Sequence, residues 1–180
     1  MSSTPAATLS PERDLTESMR DAMRRIASTV HIITAMDADG PLGMAATAVS
    51  SLSFDPPSLI LCVNRNATMS ASLKSGASFA VNVLHQQQVA LVAPFSTSSL
   101  RHQRFADSGW NMDGPAPALD NAQAVLSCVV DECRPYGSHI IIVGLVKSVV
   151  VRDDVDPLLY LDGAFRGVFA PETPGDRPET

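Results

Sequence analysis

Gly43-Met44-Ala45-Ala46-Thr47-Ala48-Val49-Ser50-Ser51-Leu52-Ser53-Phe54-Asp55-Pro56-Pro57-Ser58-Leu59-Ile60-Leu61-Cys62-Val63-Asn64-Arg65-Asn66-Ala67-Thr68-Met69 is the stretch on which the reading of this chain turns. Two runs of small and hydroxyl-bearing residues flank a Pro-Pro corner and a short apolar strand. Small side chains let a backbone approach a flat ligand, and its N–H groups and hydroxyls then bond the ligand's edges. A plain core strand would carry larger side chains at those positions. The stretch therefore reads as a cofactor-binding hairpin.

Working outward, residues 30–36 are β-branched and apolar, and Asp37-Ala38-Asp39-Gly40 is a hairpin turn signal. The spacing predicts a second strand over 42–53, a break at Asp55-Pro56-Pro57, where neither proline donates to a ladder, and a third strand over 58–63. A short helix is predicted over 68–75, closed by Gly76, then a strand over 79–84 and a helix over 86–93. Residues 94–121 read as irregular and polar. Strands follow over 122–132 and 139–151, the second after a turn at Tyr136-Gly137-Ser138, with a last hairpin over 158–169 around Asp162-Gly163. Upstream, Leu15, Met19, Ala22, Met23 and Ile26 recur at helical spacing, with Ser10-Pro11-Glu12 or Thr16 as the helix start. Six or seven strands with few helices predict a mainly β (α+β) fold, a closed or nearly closed antiparallel barrel with peripheral helices.

The 180 residues fit one domain, expected over 13–170, with disordered ends at 1–12 and 171–180. A net charge of −6 argues against nucleic acid as a partner. No apolar run approaches the roughly 20 residues that span a bilayer. The start lacks a secretion signal, and three cysteines, with no CxxC pair, read as reduced, so the expected compartment is the cytoplasm and no membrane is involved.

Three motifs bear on chemistry. The run from Thr47 to Ser53 suits a platform for a flat ring. Cys62-Val63-Asn64-Arg65-Asn66-Ala67-Thr68 leaves a strand and enters a helix, a place that suits a phosphate, with Arg65, Asn66 and Thr68 as added donors. Gly137-Ser138-His139 puts an imidazole at the head of an apolar strand. Taken singly, they read equally well or better as a solvated strand, a helix cap and a turn histidine. There is no GxGxxG, phosphate-loop or GxSxG motif, and His31, His85, His102 and His139 lie too far apart in sequence to suggest a metal site.

In order and spacing, the motifs resemble the short-chain flavin reductases of the FMN-binding, split β-barrel type, the reductase components of two-component monooxygenases. The likeness spans about residues 19–169. It includes Gly43-Met44-Ala45-Ala46-Thr47-Ala48, Ser53-Phe54-Asp55-Pro56-Pro57, Phe79-Ala80-Val81-Asn82-Val83-Leu84, Arg104-Phe105, Gly137-x-His139 with Gly144-x-Val146, and Pro157-Leu158-Leu159-Tyr160 with Gly163 and Phe165. The resemblance implies a Greek-key barrel and hydride transfer from NADH or NADPH to FMN or FAD. It implies a homodimer and a partner monooxygenase that takes the reduced flavin. By the same resemblance Met44, Ala45, Thr47, Ala48 and Val49 line the flavin ring. Cys62, Val63, Asn64 and Thr68 hold the ribityl and phosphate, Pro94 and Phe95 approach from the following helix, and His139 sits where the nicotinamide stacks. No metal is implied. Thr29 stands where the family often has a glycine before the first strand, which alters that bend, and Leu161 and Ala164 depart from the family pattern in the closing hairpin, which leaves the choice of nucleotide open. Two other readings stand beside this one: a flavin store or sensor without turnover, and a reductase serving a corrin or ferric acceptor.

Overall fold

The computed structural model describes residues 14–106 and 109–168; the expected disordered ends and the Ser10 cap fall outside them. The first helix, α1 (Leu15–Met23), is capped by Asp14, whose carboxylate accepts from the Thr16 N–H at 3.2 Å. The stripe expected from the periodicity exists, yet Leu15, Met19, Met23 and Ile26 are each more than half exposed.

The strands are β1 (Ser28–Thr29), β2 (His31–Asp37), β3 (Gly40–Ala46), β4 (Val49–Phe54), β5 (Pro57–Asn64), β6 (Ser78–Val83), β7 (Trp110–Asn111), β8 (Ala118–Leu119), β9 (Ala124–Tyr136), β10 (His139–Val151), β11 (Leu159–Leu161) and β12 (Ala164–Arg166). Seven of them form one antiparallel sheet in the order β3-β2-β6-β9-β10-β5-β4. The strand expected over 42–53 is in fact two, divided at Thr47-Ala48, and its halves lie on opposite edges of the sheet. In a flat sheet, six interstrand steps of about 4.8 Å would set those edges about 29 Å apart. Two linking residues reach only about 10 Å. The sheet must therefore curl until its edges meet, which makes it a barrel. The connection from β5 to β6 passes over β10 and β9 in Greek-key fashion.

Alternation along the strands builds two cores. Ile33, Leu61, Val63, Phe79, Val81, Val130 and Ile142 fill the barrel. Gly144 belongs there because a Cβ would lie 2.5 Å from the Phe79 ring. Ile32 and Ala80 face outward instead and are covered by Leu84, Val92, Phe95, Trp110, Leu119 and Leu158. Residues 94–121, expected to be irregular and polar, thus supply a third of a second core, Phe95, Trp110, Ala116 and Leu119. They comprise a short helix α2 (Val92–Ser96), a 3-10 turn (Ser98–Gln103) and the pair β7–β8. Phe95, Phe105 and Trp110 pack with ring centroids 5.0–5.4 Å apart. Buried Asn82 fastens this layer: it donates to the Ile32 carbonyl and Thr34 Oγ1 and accepts from the Leu119 N–H at 2.8 Å. Such a satisfied buried network fixes one docking position. The helix expected over 68–75 shortens to a 3-10 turn (Thr68–Ala71).

Candidate functional site

Two cavities meet where β3 ends. The larger, about 540 Å³, is lined by Met44, Ala45, Ala46, Thr47 and Ala48 of the edge-to-edge link, Cys62 and Asn64 of β5, and His139. Its far wall is made by Val30, Val92, Tyr160 and Phe165. The smaller, about 340 Å³, shares Met44, Ala45 and Ser96 and adds Asn66, Thr68, Phe95, Ser98 and Arg104. The first is broad and mostly apolar, and the second is polar. Adjoining at Met44, Ala45 and Ser96, they form a two-part cleft suited to a flat ring with an anionic tail.

Most of the small side chains of the link lie along the larger cavity, so the main chain itself forms the floor. Strand alternation explains two departures. Cys62 and Asn64 face the cleft, so Val63 between them is fully buried in the barrel core. Val49, past the link, faces a different cavity at the barrel mouth. Phe95 reaches the polar pocket, while Pro94 contributes its carbonyl to Arg104. His139 is exposed at the head of β10, pairs in register with Asn64, and its Nδ1 lies in hydrogen-bond contact with Ser138 Oγ at 2.9 Å. Arg65, expected near the phosphate, turns away. It donates from its backbone to the Ser138 carbonyl at 3.0 Å and from Nη1 to the Gly137 carbonyl at 3.3 Å, which braces the turn before His139.

The four-residue 3-10 turn at Thr68 is too short to supply much dipole. The positive charge comes from Arg104. Its Nε donates to the Pro94 carbonyl at 2.7 Å and its Nη1 to the Gly43 carbonyl at 2.8 Å, with the guanidinium 5.7 Å from the Phe95 ring centre. Burial and nearby Arg101 lower its pKa, but an arginine remains charged at neutral pH. Nη2 takes no part in these bonds. Arg104 is the one arginine or lysine lining either cavity among the described residues. Sequence reasoning placed Arg104 in a loop and assigned it no site role, as it did Ser96 and Ser98. The signal was the lone cation beside Phe105, uninterpretable until the fold brings it to Gly43.

Gly43 lines the polar pocket and directly precedes Met44 and Ala45, which line both cavities. A Cβ there would lie 2.4 Å from Phe95 Cε1, so the glycine lets the Phe95 ring close against β3. The closing hairpin β11–β12 is held to α1 by Arg24, whose Nε meets Asp162 Oδ1 at 3.1 Å and whose carbonyl accepts from the Asp162 N–H. Its rings, Tyr160 and Phe165, lie 5.4 Å apart. The donor set fits a flavin: a small-residue floor for the ring, then hydroxyls and one cation for the phosphate. No group of three or more metal-ligating side chains exists among the described residues.

A family model described as "Flavin reductase like domain" matches residues 23–168. The chain is 37% identical over 155 residues to the "FADH(2)-dependent resorcinol hydroxylase, reductase component" of a Rhizobium species, covering 84% of this chain and 86% of that one. It is 32% identical over 148 residues to "FMN reductase (NADH) RutF" of Agrobacterium fabrum, covering 82% and 85%. Among solved structures, the Streptomyces globisporus NADH:FAD oxidoreductase SgcE6, in complex with NAD and FAD fragments, superposes with a TM-score of 0.79 at 27% identity, covering 93% and 99%.

Proposed function

The chain belongs to the flavin reductase-like family, and from that premise we infer that the two-part cleft is where it transfers a hydride from a reduced nicotinamide to FMN or FAD. It is an NAD(P)H:flavin oxidoreductase, and the reduced flavin goes to a partner monooxygenase. The observation that carries the site assignment is the junction of a broad small-residue cavity with a polar pocket holding a single arginine. A store, a sensor, or a reductase of corrin or ferric iron is less favoured, because the relatives named above are flavin reductases.

The bound flavin supplies the hydride-accepting chemistry, and the protein supplies position and exclusion of water. The backbone of Ala45 to Ala48 carries the ring edge. Thr68, Ser96, Ser98 and Arg104 Nη2 hold the phosphate. Tyr160 and Phe165 close the outer side of the cleft, and His139 places the nicotinamide at its rim. Holding both reactants in register contributes up to about 7–11 kcal/mol to lowering the barrier. No side-chain nucleophile is required.

We take 13–170 as one functional unit, and the protein as a homodimer. The solvent-facing stripe of α1 supports the dimer, since Leu15, Met19 and Met23 on one short helix, with Ile26 just past its end, are costly to leave in water. A cytoplasmic setting is supported by three cysteines outside any disulfide, and no described helix is long and apolar enough to cross a membrane. The decisive experiment titrates the purified protein with FMN and with FAD, then adds NADH and follows loss of nicotinamide absorbance. Steady oxidation that requires flavin supports the assignment. Flavin binding without turnover would favour the store.

A further inference from the structure

A second cavity, about 380 Å³, opens at the mouth of the barrel on the other side of the Thr47-Ala48 link. Its walls are Leu59, Val83, Leu126 and Val146, and no charged side chain lines it among the described residues. Two buried polar side chains face this apolar space, His31 at 7% exposure and Ser58 at 8%.

The chemistry of His31 is fixed by its partner. Nδ1 lies 3.3 Å from the Ala46 carbonyl, and a carbonyl only accepts, so Nδ1 carries the proton. Nε2 is then an acceptor, and no described residue donates to it. Burial also lowers the ring's pKa, which favours the neutral form. The cavity thus offers apolar walls, one acceptor on a buried ring, the buried Ser58 hydroxyl and, on β4, the hydroxyls of Ser50, Ser51 and Ser53. An anion finds no cation here, and a cation finds no carboxylate. Its volume falls within the range of about 300–1,000 Å³ usual for small-molecule sites.

We propose that this cavity is an effector site for a neutral, phenol-class molecule whose hydroxyl donates to His31 Nε2. The effector role rests on the flavin assignment; the binding does not. Ala46, which accepts from His31, also lines the flavin cleft, so an occupant sits one side chain away from the floor under the ring.

The probe is 4-fluorophenol, followed by 19F NMR on the full chain saturated with FMN, so that the flavin cleft is closed to it. The expected result is saturable binding, about tenfold weaker for 4-fluoroanisole, which lacks the donor. Val146→Phe, which fills the space, abolishes it; Ser50→Phe at the exposed rim does the same if the first variant fails to fold. Absence of saturable binding, or binding indifferent to both the hydroxyl and the fillers, overturns the proposal. Phe54 stands 88% exposed at the rim, so a second copy is the rival occupant. Binding that vanishes as the protein is concentrated assigns the space to that copy and overturns the proposal. For the effector role, saturating 4-fluorophenol shifts FMN affinity by about threefold or more, within the lower range of allosteric couplings. An unchanged FMN affinity overturns that role alone. A chain that binds 4-fluorophenol but never FMN would overturn the flavin reading and leave the cavity standing.

Discussion

The two halves of the flavin cleft are made in different ways. The ring half is largely one continuous run, residues 44–48, laid along the link between sheet edges. The phosphate half is assembled from residues 66–68, packed on the barrel core, and from Ser96, Ser98 and Arg104, carried by the outer layer. The first depends on what its side chains lack, and the second on what one side chain carries. A ring can be held by bare backbone, whereas an anion requires a charge brought from a distance.

The largest perturbation strikes the polar half next to Met44 and Ala45, which line both halves. Gly43→Val puts a branched side chain where Phe95 already lies, and overpacking of this kind costs about 1–3 kcal/mol. Urea unfolding should register that loss, and titration should show FMN and riboflavin binding weakened together. Riboflavin binding at full strength would break the idea that crowding at Gly43 displaces Met44 and Ala45 in both halves.

Arg104→Ala should separate them. A lost charge-assisted bond weakens FMN by about 10- to 100-fold. Riboflavin, which has no phosphate, should bind nearly as before. An equal loss for both ligands would mean that Arg104 serves only as a strut between Gly43 and Pro94. Arg104→Lys should fall between, since lysine keeps the charge and loses the fork.

His139→Ala tests the rim of the ring half. Stopped-flow reduction should slow, or nucleotide KM rise, by about three- to tenfold, the worth of a single neutral hydrogen bond, with flavin affinity unchanged. Wild-type rates at unchanged nucleotide affinity would remove the residue from the reaction.

The smallest effect is of pH. Burial lowers the His31 pKa below its ordinary 6.5, so in acid the unfolded chain binds a proton that the folded one resists. Stability therefore falls as pH drops below about 6.5 and is restored above it. His31→Gln should flatten the slope of unfolding free energy from about pH 5 to 7. A slope that persists would place the titration elsewhere.

The same contrast explains what was legible in the sequence. Period-two patterns, the Asp37-Ala38-Asp39-Gly40 turn and the strand over 139–151 marked the barrel, because each is a local property. The contiguous floor at Met44 to Ala48 was legible for the same reason. The break at Thr47-Ala48 was not, since small residues suit a strand and a crossover equally. Nor was the layer over 94–121. Its polar loops hide Phe95, Phe105 and Trp110, which are far apart in sequence and meet only when Asn82 fixes the segment against β2 and β6. Arg104 went unread because its two carbonyl partners come from different elements. Val63 was assigned to the ligand because it shares a motif with Cys62 and Asn64, although alternation sends it inward.

The link at Thr47-Ala48 has a topological consequence. Because one short tether both shuts the barrel and lines the proposed flavin site, a chain rearranged to begin at residue 48 would lose both at once. New termini opened at the Asp37–Gly40 turn would spare both, since that hairpin stays stitched through seven register pairs between β2 and β3. The molecule's tolerance to being cut is thus mapped by which loops cross the seam and which only cap an edge.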